Sequence, residues 1–341
     1  TGTFLVRSGI LNSVHTFASD PSRGTYILLF LSLMIFSALT IFFLKHKKEN
    51  YNFNLKSRET FILANNWFMV FFLVTVLIGM LYPIFLDVLT NAKISVGPPF
   101  FNIVIIPLVV PVMFLMAIGP KFGWIKSQRK ILYKILFLIL GAVVINLSIL
   151  YFFGKYSLLS NLVFIGAIFL ILYSFLDLKK SIIKKNKAAL PRIISHLGFG
   201  LLVFFIGINH QFSLEEDFNL KVGEVKKINN YEINFEDIEV KERKNFKAVI
   251  GKFKLTNLES NLVQYLDPEI RIYSHPETLT YEAAIKTKIT SDFYLTMSNV
   301  SRSDYYNIKF QNKPFMVWIW ISALMISLGG FVQLILKKNE E

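Results

Sequence analysis

Seven stretches of this chain stay apolar for close to twenty residues or more: Tyr26–Leu44, Ile62–Leu86, Phe100–Ile118, Ile131–Phe153, Leu158–Leu176, Arg192–Asn209 and Pro314–Leu336. A helix needs about twenty such residues, at about 1.5 Å each, to cross a hydrocarbon layer of roughly 30 Å. A soluble core has no use for so much apolar surface, so the second solvent is a lipid bilayer. With 53% hydrophobic residues and 34 Phe in 341 positions, the composition agrees. Pro107 and Pro111 fall inside the third stretch, where membrane helices tolerate proline if neighbours satisfy the freed carbonyls, so a kink is expected there.

A net charge of +14 points to nucleic acid in a soluble protein, but its distribution here is a topology signal. Lys45, Lys47, Lys48, Lys56 and Arg58 follow the first span. Lys121, Lys126, Arg129 and Lys130 follow the third, Lys179, Lys180, Lys184, Lys185, Lys187 and Arg192 the fifth, and Lys337 and Lys338 the seventh. The alternate connections hold only Arg7, Arg23, Lys93 and Lys155 before the long segment ahead of the last span. By the positive-inside rule the basic ends are cytoplasmic, which places residues 1–25, the segment 210–313 and the shorter alternate loops outside, and the tail 337–341 inside.

The 210–313 segment changes texture. Charge of both signs is nearly balanced, and Tyr231–Val240 and Phe246–Thr256 alternate with strand periodicity, with Asn229, Asn230 and Asn257 at plausible turns. The expected fold class is therefore a polytopic α-helical membrane protein of about seven transmembrane helices. Residues 26–209 form a six-helix region, and an outer antiparallel β domain is inserted before the last helix at 314–336. The chain opens Thr1-Gly2-Thr3-Phe4-Leu5-Val6 without a signal-peptide pattern, and this apolar start reads as the tail of an earlier helix.

Cysteine is absent, which excludes disulfides, thiolate metal sites and a catalytic thiol of the chain's own. No glycine-rich phosphate loop, His-Glu-x-x-His pattern or nucleophile triad is found, so ATPase and hydrolase chemistry lack support. Among five His, the informative one is His196, in Pro191-Arg192-Ile193-Ile194-Ser195-His196-Leu197-Gly198-Phe199-Gly200. Pro191 and Arg192 mark the helix start, which puts His196 roughly 6 Å inside the boundary. An ionisable group at that depth is costly and is a functional candidate by default.

Gly200 and Gly207 continue the His196 face, so a groove beside the imidazole is expected, wide enough for a flat macrocycle whose iron the ring nitrogen would hold, with Arg192 meeting a propionate. The same small residues also serve ordinary helix packing, and His196 also suits a structural bond to a neighbouring helix. His15, in an apolar outer segment, is a second candidate ligand. His46 and His275 read as solvated, and His210 as interfacial. Two other classes stay open: a transporter or channel with His196 as proton relay, and a scaffold whose outer domain recruits partners.

At these residues the sequence resembles the cytochrome c-type biogenesis protein F (CcmF) family, the membrane subunit of cytochrome c heme lyase. The matching stretches are Gly2 to Gly9, Ser13-Val14-His15, Ala18 to Pro21, Ser95-Val96-Gly97, Phe100 to Asn102 and Ser195 to Gly198. Pro268-Glu269, Glu282 to Ala284, Lys313 to Phe315, Trp318 to Trp320 and Gly329-Gly330 follow in order. The resemblance is to the family's C-terminal portion. It implies that His196 is one axial ligand of a transmembrane b heme, and that His15 is an outer-face ligand for heme brought by the chaperone CcmE. Each would pair with a His upstream of the matching region. It further implies attachment of that heme to a Cys-x-x-Cys-His apocytochrome c, with CcmH as thiol-handling partner, quinol as the electron source, the bacterial inner membrane as location, and no nucleic acid.

Overall fold

The computed structural model describes residues 3–4, 21–45, 57–90, 94, 96–124, 132–154, 157–274, 277–300 and 303–338. His15, His46 and His275 lie outside them. Seven helices of 20 to 30 residues among the described ones are long and apolar enough to cross a membrane, as expected from the apolar runs. The chain divides into two units, residues 1–135 and 136–341.

The first unit carries α1 (Pro21–Lys45), α2 (Arg58–Thr90) and α3 (Pro98–Ile118). Helix α3 runs unbroken through Pro107 and Pro111, and α2 also contains a proline, Pro83. Between α2 and α3 a side chain at Gly79 would stand 2.7 Å from the Phe101 ring, so the two helices approach closely there and a larger residue would have to shift that ring. The ends are tied by Arg58 N–H donating to Gly123 O at 2.9 Å, with the guanidinium 4.9 Å over the Trp124 ring.

The second unit takes in most of α4 (Leu132–Phe153), then α5 (Leu158–Ile183), α6 (Leu190–Phe212), ten strands and α7 (Met316–Lys338). Ser157 caps α5 by accepting from the Ser160 N–H at 3.1 Å. Asn146 on α4 donates to Asn161 on α5 at 2.9 Å, a polar pairing of the kind that joins helices in lipid. Helices α6 and α7 approach closely: Ser195 Oγ donates to Ile326 O at 3.1 Å, and Gly198 faces Ser322, Met325 and Ile326.

Gly329 is held tightest in this pair, because a Cβ there would stand 2.6 Å from Pro191 O and 2.9 Å from Ser195 N, backbone atoms that cannot give way. Gly329→Ala should therefore push α6 and α7 apart and cost about 1–3 kcal/mol in equilibrium unfolding. Gly330→Ala, with nothing within 4 Å, should change little; equal effects at the two glycines would remove the steric explanation.

The strands form a sandwich. One sheet has the order β1-β10-β9-β8, built from Leu214–Leu220, Tyr306–Pro314, Ser291–Asn299 and Ala284–Thr287. The other runs β2-β3-β4-β6-β7, from Val225–Ile228, Tyr231–Glu242, Phe246–Asn257, Glu269–Ser274 and Glu277–Glu282, with β5 (Val263–Leu266) also paired to β4. Alternate residues point inward: Phe293, Leu295 and Met297 of β9 meet Ile233, Phe235, Phe253, Leu255 and Ile270 of the opposing sheet. Phe235 and Phe253 stack at 4.2 Å between centroids. The turn asparagines behave as the sequence implies: Asn229 adopts φ 48° between β2 and β3, and Asn257 Oδ1 accepts from the N–H groups of Glu259 and Ser260.

Pairing of β1 with β10, which sets Leu214 opposite Asn312, brings the two ends of the sandwich together, so α6 and α7 leave it side by side. Asn209 Nδ2 donates to Pro314 O at 2.7 Å, Phe205 stacks on Trp318 at 5.6 Å, and Trp318 Nε1 donates to Ile289 O at 3.1 Å. Phe315 takes φ 56°, a left-handed conformation that costs an aromatic residue about 1–3 kcal/mol and persists only where its surroundings hold it. On the outer face of the first sheet, Lys309 and Lys313 flank Glu215 and hold its carboxyl below the usual range.

Candidate functional site

Helix α6 begins after a short 3-10 turn, Lys187–Ala189, with Pro191 in its first turn, where a missing N–H costs nothing. Arg192, His196 and Gly200 then recur every four residues and share one helix face. That face lies against α5. Arg192 Nη1 donates to Asp177 Oδ2 at 3.2 Å, and at Gly200 a Cβ would stand 3.0 Å from Ile171 Cγ1 and 3.4 Å from Leu170 Cγ. Gly207 meets the Phe164 ring in the same way. His196, half-buried, stands between the Arg192 and Gly200 contacts.

The glycine groove expected beside the imidazole is therefore corrected. Side chains of α5 fill the space that Gly200 and Gly207 leave, and the glycines serve close helix approach rather than a macrocycle. Arg192 also has a partner that sequence analysis missed. Asp177 lies one residue beyond the expected end of its span at Leu176, yet its side chain is only 9% exposed because α5 continues as helix to Ile183. The available signal was a lone carboxylate at the same end of the membrane region as Arg192.

For iron, His196 offers the right donor, a partly shielded imidazole within a span. His210, the other described His, is exposed in the last turn of α6, fourteen residues and so about 21 Å further along the helix. Among the described residues no group of three or more His, Cys, Asp or Glu could hold a metal ion. Of the described residues, His196 would be the one to offer a nitrogen to such an iron, and Gly200 and Gly207 leave no porphyrin slot against α5.

A family model described as the CcmF C-terminal β-sandwich matches residues 211–314, the ten-stranded domain. The cytochrome c-type biogenesis protein CcmF of Pseudomonas aeruginosa is 33% identical, over 96% of this chain and 52% of its own length. That of Escherichia coli is 32% identical, over 97% and 52%. The chain is similar to the C-terminal portion of CcmF proteins. It spans about half the length of the curated CcmF relatives it matches. A solved structure titled Cytochrome c Heme Lyase CcmF superposes with a TM-score of 0.71 at 17% identity, covering 94% of this chain and 52% of that one, so the CcmF fold extends through helices and sandwich alike. Within it the Ser195-to-Gly198 segment, one of the stretches that carry the resemblance, lies where α6 packs closely on α7.

Proposed function

We propose that this chain is a heme-handling membrane subunit of cytochrome c maturation. It receives heme from the chaperone CcmE, holds and reduces it by way of a transmembrane b heme, and supports its attachment to Cys-x-x-Cys-His apocytochrome c. The observation that carries this reading is the collinear match of nearly the whole chain to proteins named for cytochrome c biogenesis. His196 would hold the iron of the b heme through a ring nitrogen, and that group would supply one-electron transfer when bound. Arg192 sets a positive charge one turn nearer the helix start, and His15 meets the incoming heme on the outer side. The chain has no Cys, so the thiols that add to the heme vinyl groups come from the apocytochrome, with CcmH handling them, and quinol supplies the electrons. The basic ends of the helices face the cytoplasm, which sets the sandwich on the periplasmic side of a bacterial inner membrane.

His15→Ala in cells should abolish holocytochrome c formation while sparing the b-heme signal in reduced-minus-oxidised absorbance. Normal maturation in that variant would overturn the docking role. A purified wild-type protein without any heme band would instead favour a transporter.

A further inference from the structure

The last turn of α5 and the turn that leads into α6 carry Lys179, Lys180, Lys184, Lys185 and Lys187 within nine residues. All five are exposed, and none has an ion pair among the described residues. The one carboxylate between Asp177 and Arg192 is Asp177 itself, turned inward to Arg192. These lysines are not on a loose tail. Lys184 N–H donates to Lys180 O at 3.0 Å, Lys185 N–H to Ile182 O at 3.1 Å and Asn186 N–H to Ser181 O at 3.0 Å. Ser181 Oγ returns a bond to Asn186 O, and Lys185 takes φ 49°, a left-handed turn held by those bonds.

Like charges one helical turn apart, as at Lys180 and Lys184, repel. An anion placed among five such charges relieves that repulsion. The depth of the lysines selects which anion. The twenty residues from Leu158 to Asp177 span about 30 Å of helix, the hydrocarbon thickness, so the lysines that follow emerge at the headgroup layer. Ile182 and Ile183, 66% and 71% exposed, stand among them in the same layer.

We propose that this turn is a binding site for the phosphate of anionic phospholipid headgroups, which anchors the α5–α6 hairpin at one face of the bilayer. A bilayer holds headgroup phosphates at this depth and does not hold free phosphate there, so the lipid is the occupant. The site is independent of His196 and of the maturation role.

The test uses the whole protein in bilayer discs of phosphatidylcholine containing spin-labelled phosphatidylglycerol or spin-labelled phosphatidylcholine. Each lysine near an anionic surface favours association by about fivefold at most, so a several-fold preference for motionally restricted phosphatidylglycerol is expected in the wild type, falling at high salt. K184Q/K185Q/K187Q, which keeps Lys179 and Lys180 as topology signals, should lose most of that preference, and K184R/K185R/K187R should retain it. Absence of a preference in the wild type, one insensitive to salt, or one unchanged in the glutamine variant would overturn the proposal. Complete displacement by millimolar inorganic phosphate would do the same, by assigning the site to the free ion. If the glutamine variant fails to insert, the wild-type preference and its salt dependence, with the arginine variant, still decide.

Discussion

Asp177→Ala should destabilise the helical part of the second unit by about 3–5 kcal/mol, because it strands the Arg192 guanidinium in a largely apolar environment without its counterion. The lower end of that range is expected, since the Arg192 side chain is 28% exposed and draws some solvation there. Asp177→Asn keeps an acceptor for the Nη1–H and should lose less. The decisive comparison is a double variant, Asp177→Leu with Arg192→Leu, which removes both charges and replaces them with apolar volume. A buried pair exchanged for well-packed hydrophobic residues is commonly neutral or even stabilising, so the double variant should recover most of what the single one loses. Equilibrium unfolding in mixed micelles measures all three. A single-variant cost below about 1 kcal/mol, the range of surface pairs, would show that the contact is solvated and that the α5–α6 interface is held by its glycines alone.

Membrane helices were legible because their signal is length and polarity, and both are written into consecutive residues. Their ends were not. Hydropathy stops α5 at Leu176, whereas the helix runs on to Ile183, since backbone hydrogen bonding continues through a lysine-rich turn as readily as through leucines. The same difference hid Asp177, which hydropathy assigns to a loop and packing assigns to the interior. In the sandwich, alternation revealed β3 and β4 and asparagine marked their turns, but the pairing of β1 with β10 joins residues about ninety positions apart. Nothing local encodes such a pairing. It follows from closing the two sheets over Phe235, Phe253, Phe293 and Phe310.

The candidate site divides along the same line. His196 stood out as an imidazole inside a span, a judgement about cost that needs no partner. Gly200 required one, because a small residue on a helix face serves a cofactor or a second helix equally well until the neighbour is known. Ile171 and Leu170 settle it in favour of the helix.

Replacing His196 by Ala should lower the b-heme content of the purified protein at least about tenfold, a loss of about 1.4 kcal/mol or more in heme affinity, read from reduced-minus-oxidised absorbance. A structural role for the imidazole predicts another pattern, in which stability falls while heme per folded protein is unchanged. Gly200→Ala supplies that pattern as a control, since its Cβ would press on Ile171 at 3.0 Å and strain the α5–α6 contact without touching a nitrogen donor. His196→Gly carries the comparison further. If the ring nitrogen binds iron, free imidazole added during heme loading should restore part of the absorbance, because the missing donor is returned without the helix being repaired. An imidazole that only packs between helices offers no route to spectroscopic rescue. Heme content that matched the wild type in His196→Ala would remove iron ligation from this face of α6, leaving Arg192 and Asp177 as a structural pair beside it.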